Sequence, residues 1–119
     1  MKLRVYNQTR GTVVAEAADR AGDSATRRTG LLNRTGLDAG EGLWIVPCEA
    51  VHCFFMKFTI DVLFLDRDRK VVKVRPSLMP WRISGSLRAH SVLELPEGQI
   101  AATGTMPGDQ LEFEKVVGS

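Results

Sequence analysis

Between Glu49 and Asp66 the chain reads Glu-Ala-Val-His-Cys-Phe-Phe-Met-Lys-Phe-Thr-Ile-Asp-Val-Leu-Phe-Leu-Asp, the most apolar segment of its length in 119 residues. Side chains alternate between the two faces of a strand. On that period His52, Phe54, Met56, Phe58, Ile60, Val62 and Phe64 share one face, and Cys53, Phe55, Lys57, Thr59, Asp61, Leu63 and Leu65 share the other. A purely structural strand has little use for three ionisable groups among so many large apolar side chains. Three ionisable groups, His52, Lys57 and Asp61, must then pair with one another or face something brought by the rest of the chain. A single strand of this length exceeds the usual range, so a bend or bulge is expected near Lys57 to Thr59. Without it Lys57, Thr59 and Asp61 line one face and His52 the other; with it His52, Lys57 and Asp61 converge.

The flanking sequence reads as short strands punctuated by turns. Leu3–Tyr6 and Thr12–Ala17 flank Asn7-Gln-Thr-Arg-Gly11, a hairpin loop by composition. Ser24 is placed to cap a helix running to about Thr35, with Gly36 as its stop. Leu43–Val46 is a buried strand ended by Pro47, and Val62–Leu65 pairs with Val71–Val74 across the charged loop Asp66–Lys70. Arg75–Ala89 is the longest irregular stretch, with Met79 and Trp81 expected to anchor it by packing. Ser91–Leu95, Gln99–Thr103 and Gln110–Val116 complete the strands, and Pro107-Gly108 suits a type II turn. The expected fold is mainly β: a small antiparallel, curled or barrel-like sheet of seven to eight short strands with one short helix packed over it, in a single domain spanning residues 1–119.

Composition excludes several classes. Sixteen basic against fourteen acidic residues leave a formal charge of +2, too little to argue for nucleic acid, although eleven of the sixteen are Arg. No run is long and apolar enough to span a bilayer, and Met1–Arg10 has no secretory h-region, so a soluble, cytoplasmic protein is expected. Cys48 and Cys53 are the only cysteines and build no disulfide framework. Cys48, Glu49, His52 and Cys53 lack the second ligand pair that a zinc site wants, so no metal and no cofactor is expected.

Catalysis has thin support. His52 and Asp61 supply residue types for a small hydrolase or transferase, yet no nucleophile elbow or oxyanion signature accompanies them, and neighbouring His52 and Cys53 point to opposite faces of a strand. Arg75, Arg82 and Arg88 surround Trp81, an arrangement able to stack on and neutralise an anionic glycan, or to dock a partner chain.

Gly30-Leu-Leu-Asn-Arg34, the run from His52 to Asp66, Val92-Leu-Glu-Leu-Pro-Glu-Gly98 and Pro107-Gly-Asp109 together resemble the domain of unknown function 192 family, in the right order over about residues 12–114. The resemblance implies a mostly antiparallel, barrel-like β domain with a helix over it. It marks Arg34, His52, Met56, Lys57, Asp61, Glu94 and Gly98 as matching positions. Relatives are often exported, and many that carry the His have Thr at position 53, which sets Cys53 aside. The resemblance implies no established reaction, substrate or cofactor and leaves function open. The combined expectation is a non-catalytic module binding a small molecule, glycan or protein through Arg34, His52, Met56, Lys57, Asp61, Trp81 and Glu94; its alternative is the hydrolase or transferase using His52 and Asp61.

Overall fold

A computed structural model describes residues 2–23, 34–52 and 57–116. In chain order the described elements are β1 (Lys2–Asn7), β2 (Thr12–Ala21), β3 (Glu41–Ile45), β4 (Ala50–His52), β5 (Ile60–Leu65), β6 (Val71–Leu78), β7 (Ile83–Gly85), β8 (Ser91–Pro96), α1 (Gln99–Thr103) and β9 (Leu111–Lys115). Seven strands form one sheet in the order β6-β5-β8-β3-β2-β1-β9, while β4 and β7 pair separately. Within the large sheet only β2 and β3 run parallel. The outer strands β6 and β9 meet at one end. Lys70 bridges Gln110, Val71 N–H donates to Asp109 O at 2.8 Å, and Leu111 N–H donates to Arg69 O at 3.1 Å. The sheet is thus a curled half-barrel, mainly β as the sequence predicts, and among the described residues it is accompanied by one short helix.

The alternation in β5 explains why it lies near the middle. All six of its residues are buried. Leu63 and Leu65 join Leu3, Val5, Val14, Trp44, Leu93 and Leu95 in the cluster inside the curl. Ile60, Val62 and Phe64 join Leu43, Ile45, Leu78 and Val92 in a second cluster on the opposite face. A strand buried on both sides reads as a continuous apolar run, and this one does.

Turn chemistry sets the connections. In the β1–β2 loop Gly11 takes φ 71° and donates to Asn7 O at 2.8 Å. Gly108, at φ 95°, follows Pro107 in a turn closed by Asp109 N–H on Met106 O at 3.1 Å, as a type II turn requires. The Val46–Pro47 peptide bond, just past β3, is cis.

Three expectations change. Gln99–Thr103 is not a strand but the five-residue helix α1, bracketed by Gly98 and Gly104, both left-handed. Its buried residues, Ile100 and Thr103, are three apart, one helical face, and Gln and Ala favour helix over strand. Ile100 closes one end of the curl within the inner cluster. Second, Arg75–Ala89 is less irregular than expected: β6 continues to Leu78 and β7 occupies Ile83–Gly85. Pro76 is tolerated because β6 is an edge strand, and the register with β5 slips by one residue there, with Ser77 at φ 51°. Third, Met79 and Trp81 are 50% and 58% exposed and do not plug their loop. The helix predicted over Ser24–Thr35 falls on residues 24–33, outside the described residues; Arg34 and Thr35 are not helical.

Candidate functional site

Cross-strand partners point to the same side of a sheet. Asp19 pairs with Leu43, Leu43 with Glu94, Glu94 with Val62, and Val62 with Arg75. These five residues form one row across β2, β3, β8, β5 and β6 on the face opposite the curl. Glu94 sits at its centre, flanked by two members of the outer apolar cluster, Leu43 and Val62, with Val92 two residues before it on the same face. It is only 4% exposed. No described residue donates a hydrogen bond to its carboxyl group. Burial pushes its pKa up to about 7, because the charged form loses its water without gaining a counter-charge.

Two strands away in the same row, and hence about 10 Å off, Asp19 holds the Arg34 guanidinium at 3.2 Å, and Glu41 reaches the same group at 3.7 Å. Lys2 also reaches Asp19, at 2.9 Å. Burial raises the Asp19 pKa, but the hydrogen bonds and charges of Lys2 and Arg34 outweigh it and leave the group below the usual carboxylate range. Arg34 is therefore matched by two carboxylates and brings no surplus charge to the row.

Asp61 points the other way, toward the inside of the curl, and is 1% exposed. Its Oδ1 accepts the Ser77 N–H at 2.9 Å and its Oδ2 the Ile100 N–H at 2.8 Å. One carboxylate thus ties the slipped end of β6 to the first turn of α1. Lys57 is exposed and makes no ion pair with Asp61. The His52 backbone pairs with Ile83 in the β4–β7 ribbon, and Met56 lies outside the described residues. Trp81 projects from the turn before β7 with φ 69°.

Two further features were not anticipated. Asp109, 2% exposed, accepts from Asn7 Nδ2, Arg10 Nε and the Met106 N–H, each at 3.0 Å. Burial raises its pKa, but these donors overcome that and lower it below the ordinary value. They lock the β1–β2 loop onto the turn before β9. An open groove of about 410 Å³ is lined by Asp66, Arg67, Asp68, Leu87, Arg88, Ala89 and His90. Its Arg and Asp charges balance, and Asp66 Oδ1 already accepts the Asp68 and Lys70 N–H groups. Among the described residues no cluster of three His, Cys, Asp or Glu could hold a metal ion, and no helix is long and apolar enough to cross a membrane.

Comparison with known proteins places this architecture. Two crystal structures share the fold. One, of a candidate transcription regulator from Sinorhizobium meliloti, aligns with a TM-score of 0.82 at 24% identity over 94% of this chain and 92% of its own. The other, a protein of unknown function from Novosphingobium aromaticivorans, gives 0.80 at 24% identity over 94% of this chain and 84% of its own. Sequence relatives include UPF0127 proteins of Pyrococcus furiosus, 35% identical over 63% of this chain and 69% of that protein, and of Pyrococcus horikoshii, 36% identical over 60% and 66%. The match with a Thermococcus sibiricus UPF0127 protein, at 35% identity, spans half of that relative's length. The family model described as Uncharacterized ACR, DUF192, matches residues 5–113, from the middle of β1 to β9. The chain belongs to the DUF192 family.

Proposed function

We propose that this protein is a non-catalytic binding module whose ligand is a small molecule bearing hydroxyl or amine hydrogen-bond donors, taken up at the outer face of the sheet around Glu94. The observation that carries the reading is Glu94 itself: a buried carboxyl group with no donor among the described residues, set between Leu43 and Val62. The residue keeps only 4% of its exposure, while Trp44 Nε1 alone among the described side-chain atoms is both fully buried and unpaired, so the carboxyl oxygens retain a narrow opening through which a ligand donor can reach them. It stands opposite Val62, one residue past Asp61, so the site adjoins the central motif that the sequence singles out. Aliphatic neighbours suit the carbon skeleton of a polyol, saccharide or amine, and exposed Lys57 can meet an acidic substituent.

A hydrolase or transferase built on His52 and Asp61 has less support, because both oxygens of Asp61 accept backbone amides. If the site is catalytic, Glu94 is the better acid–base group, its pKa lying near neutrality.

Thermal-shift screening of sugars, polyols and amines at pH 6 and pH 8 tests the reading. A ligand that stabilises the wild type and leaves Glu94→Gln unmoved is the expected result. Equal stabilisation of both proteins would put the site elsewhere, and a panel without any shift would refute the binding reading. Turnover of a bound compound, abolished in Glu94→Gln, would transfer the site to catalysis.

A further inference from the structure

The segment from Arg69 to Leu93 contains no acidic residue and carries six cations, Arg69, Lys70, Lys73, Arg75, Arg82 and Arg88. Four of the five large apolar side chains exposed among the described residues lie in its middle: Met79 at 50%, Trp81 at 58%, Ile83 at 66% and Leu87 at 94%. All four fall within nine consecutive residues, on the turn closed by the Arg82 N–H on Met79 O, on β7, and on the turn closed by the Ala89 N–H on Ser86 O. On β7 the alternation is plain, with Ile83 outward and Ser84 buried. Met79 and Trp81 stay half exposed, Ile83 and Leu87 more so, and none of the four joins the two apolar clusters. Trp81, past the end of β6, takes φ 69°, a left-handed conformation that L-residues adopt at a cost.

We infer that this projection is a docking surface for an anionic phospholipid bilayer. The occupant follows from shape and charge together. Side chains that stand out from turns as separate knobs suit a fluid phase that closes around each of them, whereas a folded partner must offer a preformed hole for every one. Trp and Leu are residues that enter the interfacial zone of a bilayer, and Arg and Lys beside them meet lipid phosphates. Arg82 lies between Trp81 and Ile83, and Arg88 follows Leu87, so cations alternate with the insertable groups. Glu49, whose carbonyl accepts the Ser86 N–H, is exposed beside β7, and Asp66 and Asp68 share a groove wall with Leu87; these acids bound the surface and set its edge. None of the four apolar side chains belongs to the Glu94 row, although Lys73, opposite Phe64 on the outer face, donates to Gly85 O at 2.8 Å and sets β7 beside that face.

Flotation with vesicles of phosphatidylglycerol and phosphatidylcholine, against phosphatidylcholine alone, tests it at low and high salt. Binding to the anionic vesicles only, weakened by salt, is expected. Trp81 emission should shift to the blue on binding, while Trp44, buried in the inner cluster, reports no change in a Trp81→Phe protein. Replacing Arg82 and Arg88 together by Gln should lower partitioning roughly 25-fold, taking each cation as about fivefold. Leu87→Ala, at the most exposed of these positions, should weaken partitioning with no change in melting temperature, and keeps the test valid if a Trp81 variant folds poorly. Failure to float with anionic vesicles at low salt overturns the inference. So does floating that is indifferent to Leu87→Ala and to the double Arg variant. Tighter association with polyglutamate or single-stranded oligonucleotide than with vesicles would assign the surface to a different polyanion and overturn the lipid reading.

Discussion

Replacing Glu94 by Gln should remove a pH dependence of stability that the wild type owes to one side chain. The carboxyl ordinarily titrates near 4.5 and is pushed up to about 7 in the folded protein. Between those values the folded state holds a proton that the unfolded chain has released, so stability falls as pH rises. Below 4.5 the group is neutral in both states and costs nothing as a charge. Above 7 it is charged in both, and the full penalty is present. A rise of this size corresponds to about 3 kcal/mol. Gln has the same length and no titration, so Glu94→Gln should gain on the wild type by about 3 kcal/mol between pH 4.5 and pH 8, whatever constant offset its amide introduces. Urea unfolding at four pH values measures the difference, and taking it between the two proteins cancels the carboxylates they share. Asp19 and Asp109 contribute in the opposite sense, their pKa values being lowered, but equally in both proteins. Parallel stability–pH curves for wild type and Glu94→Gln would refute the reasoning, since they would mean that the carboxyl is solvated or already paired.

Asp61→Ala should destabilise by about 3 kcal/mol, because it strands the Ile100 and Ser77 N–H groups at once; Asp61→Asn, which keeps one good acceptor, should lose less than half of that in the same urea titration. Asp109→Asn should abolish the stability that the wild type loses as pH falls through the lowered pKa of this group, and should cost about 2 kcal/mol at pH 7 through the weakened Arg10, Asn7 and Met106 contacts. A Cβ at Gly85 would stand 3.0 Å from Ala50 Cβ and 3.2 Å from Glu49 O. Gly85→Ala should therefore part β4 from β7 at a cost of about 1 kcal/mol, detectable as faster proteolysis within residues 79–90 with little change in the global melting temperature.

What could be read from the sequence follows how local its cause is. The β1–β2 and β5–β6 hairpins were legible because loop and strands adjoin, and the type II turn at Pro107-Gly108 because its backbone requirement lies in two residues. The helix at Gln99–Thr103 was misread as a strand because five residues of Gln, Ile, Ala, Ala and Thr satisfy either period. What decides between them is the pair of glycines around it and the carboxylate of Asp61, which arrives from 39 residues away to take the Ile100 amide. Asp61 shows the same limit from the other side. Its position in an apolar strand marks it as important, but parity alone could not tell a ligand-facing acid from a backbone anchor, since both sit buried on one face. Glu94 reads as an ordinary acid in an alternating strand until β3 and β5 are laid against β8. Only that pairing, strand 3 beside strand 8 beside strand 5, surrounds it with Leu43 and Val62 and leaves its carboxyl without a donor among the described residues. Fold class follows from patterns a few residues long. The candidate site is instead a property of strand order, which no local pattern contains, and tests of function therefore belong at Glu94 before the more conspicuous Asp61.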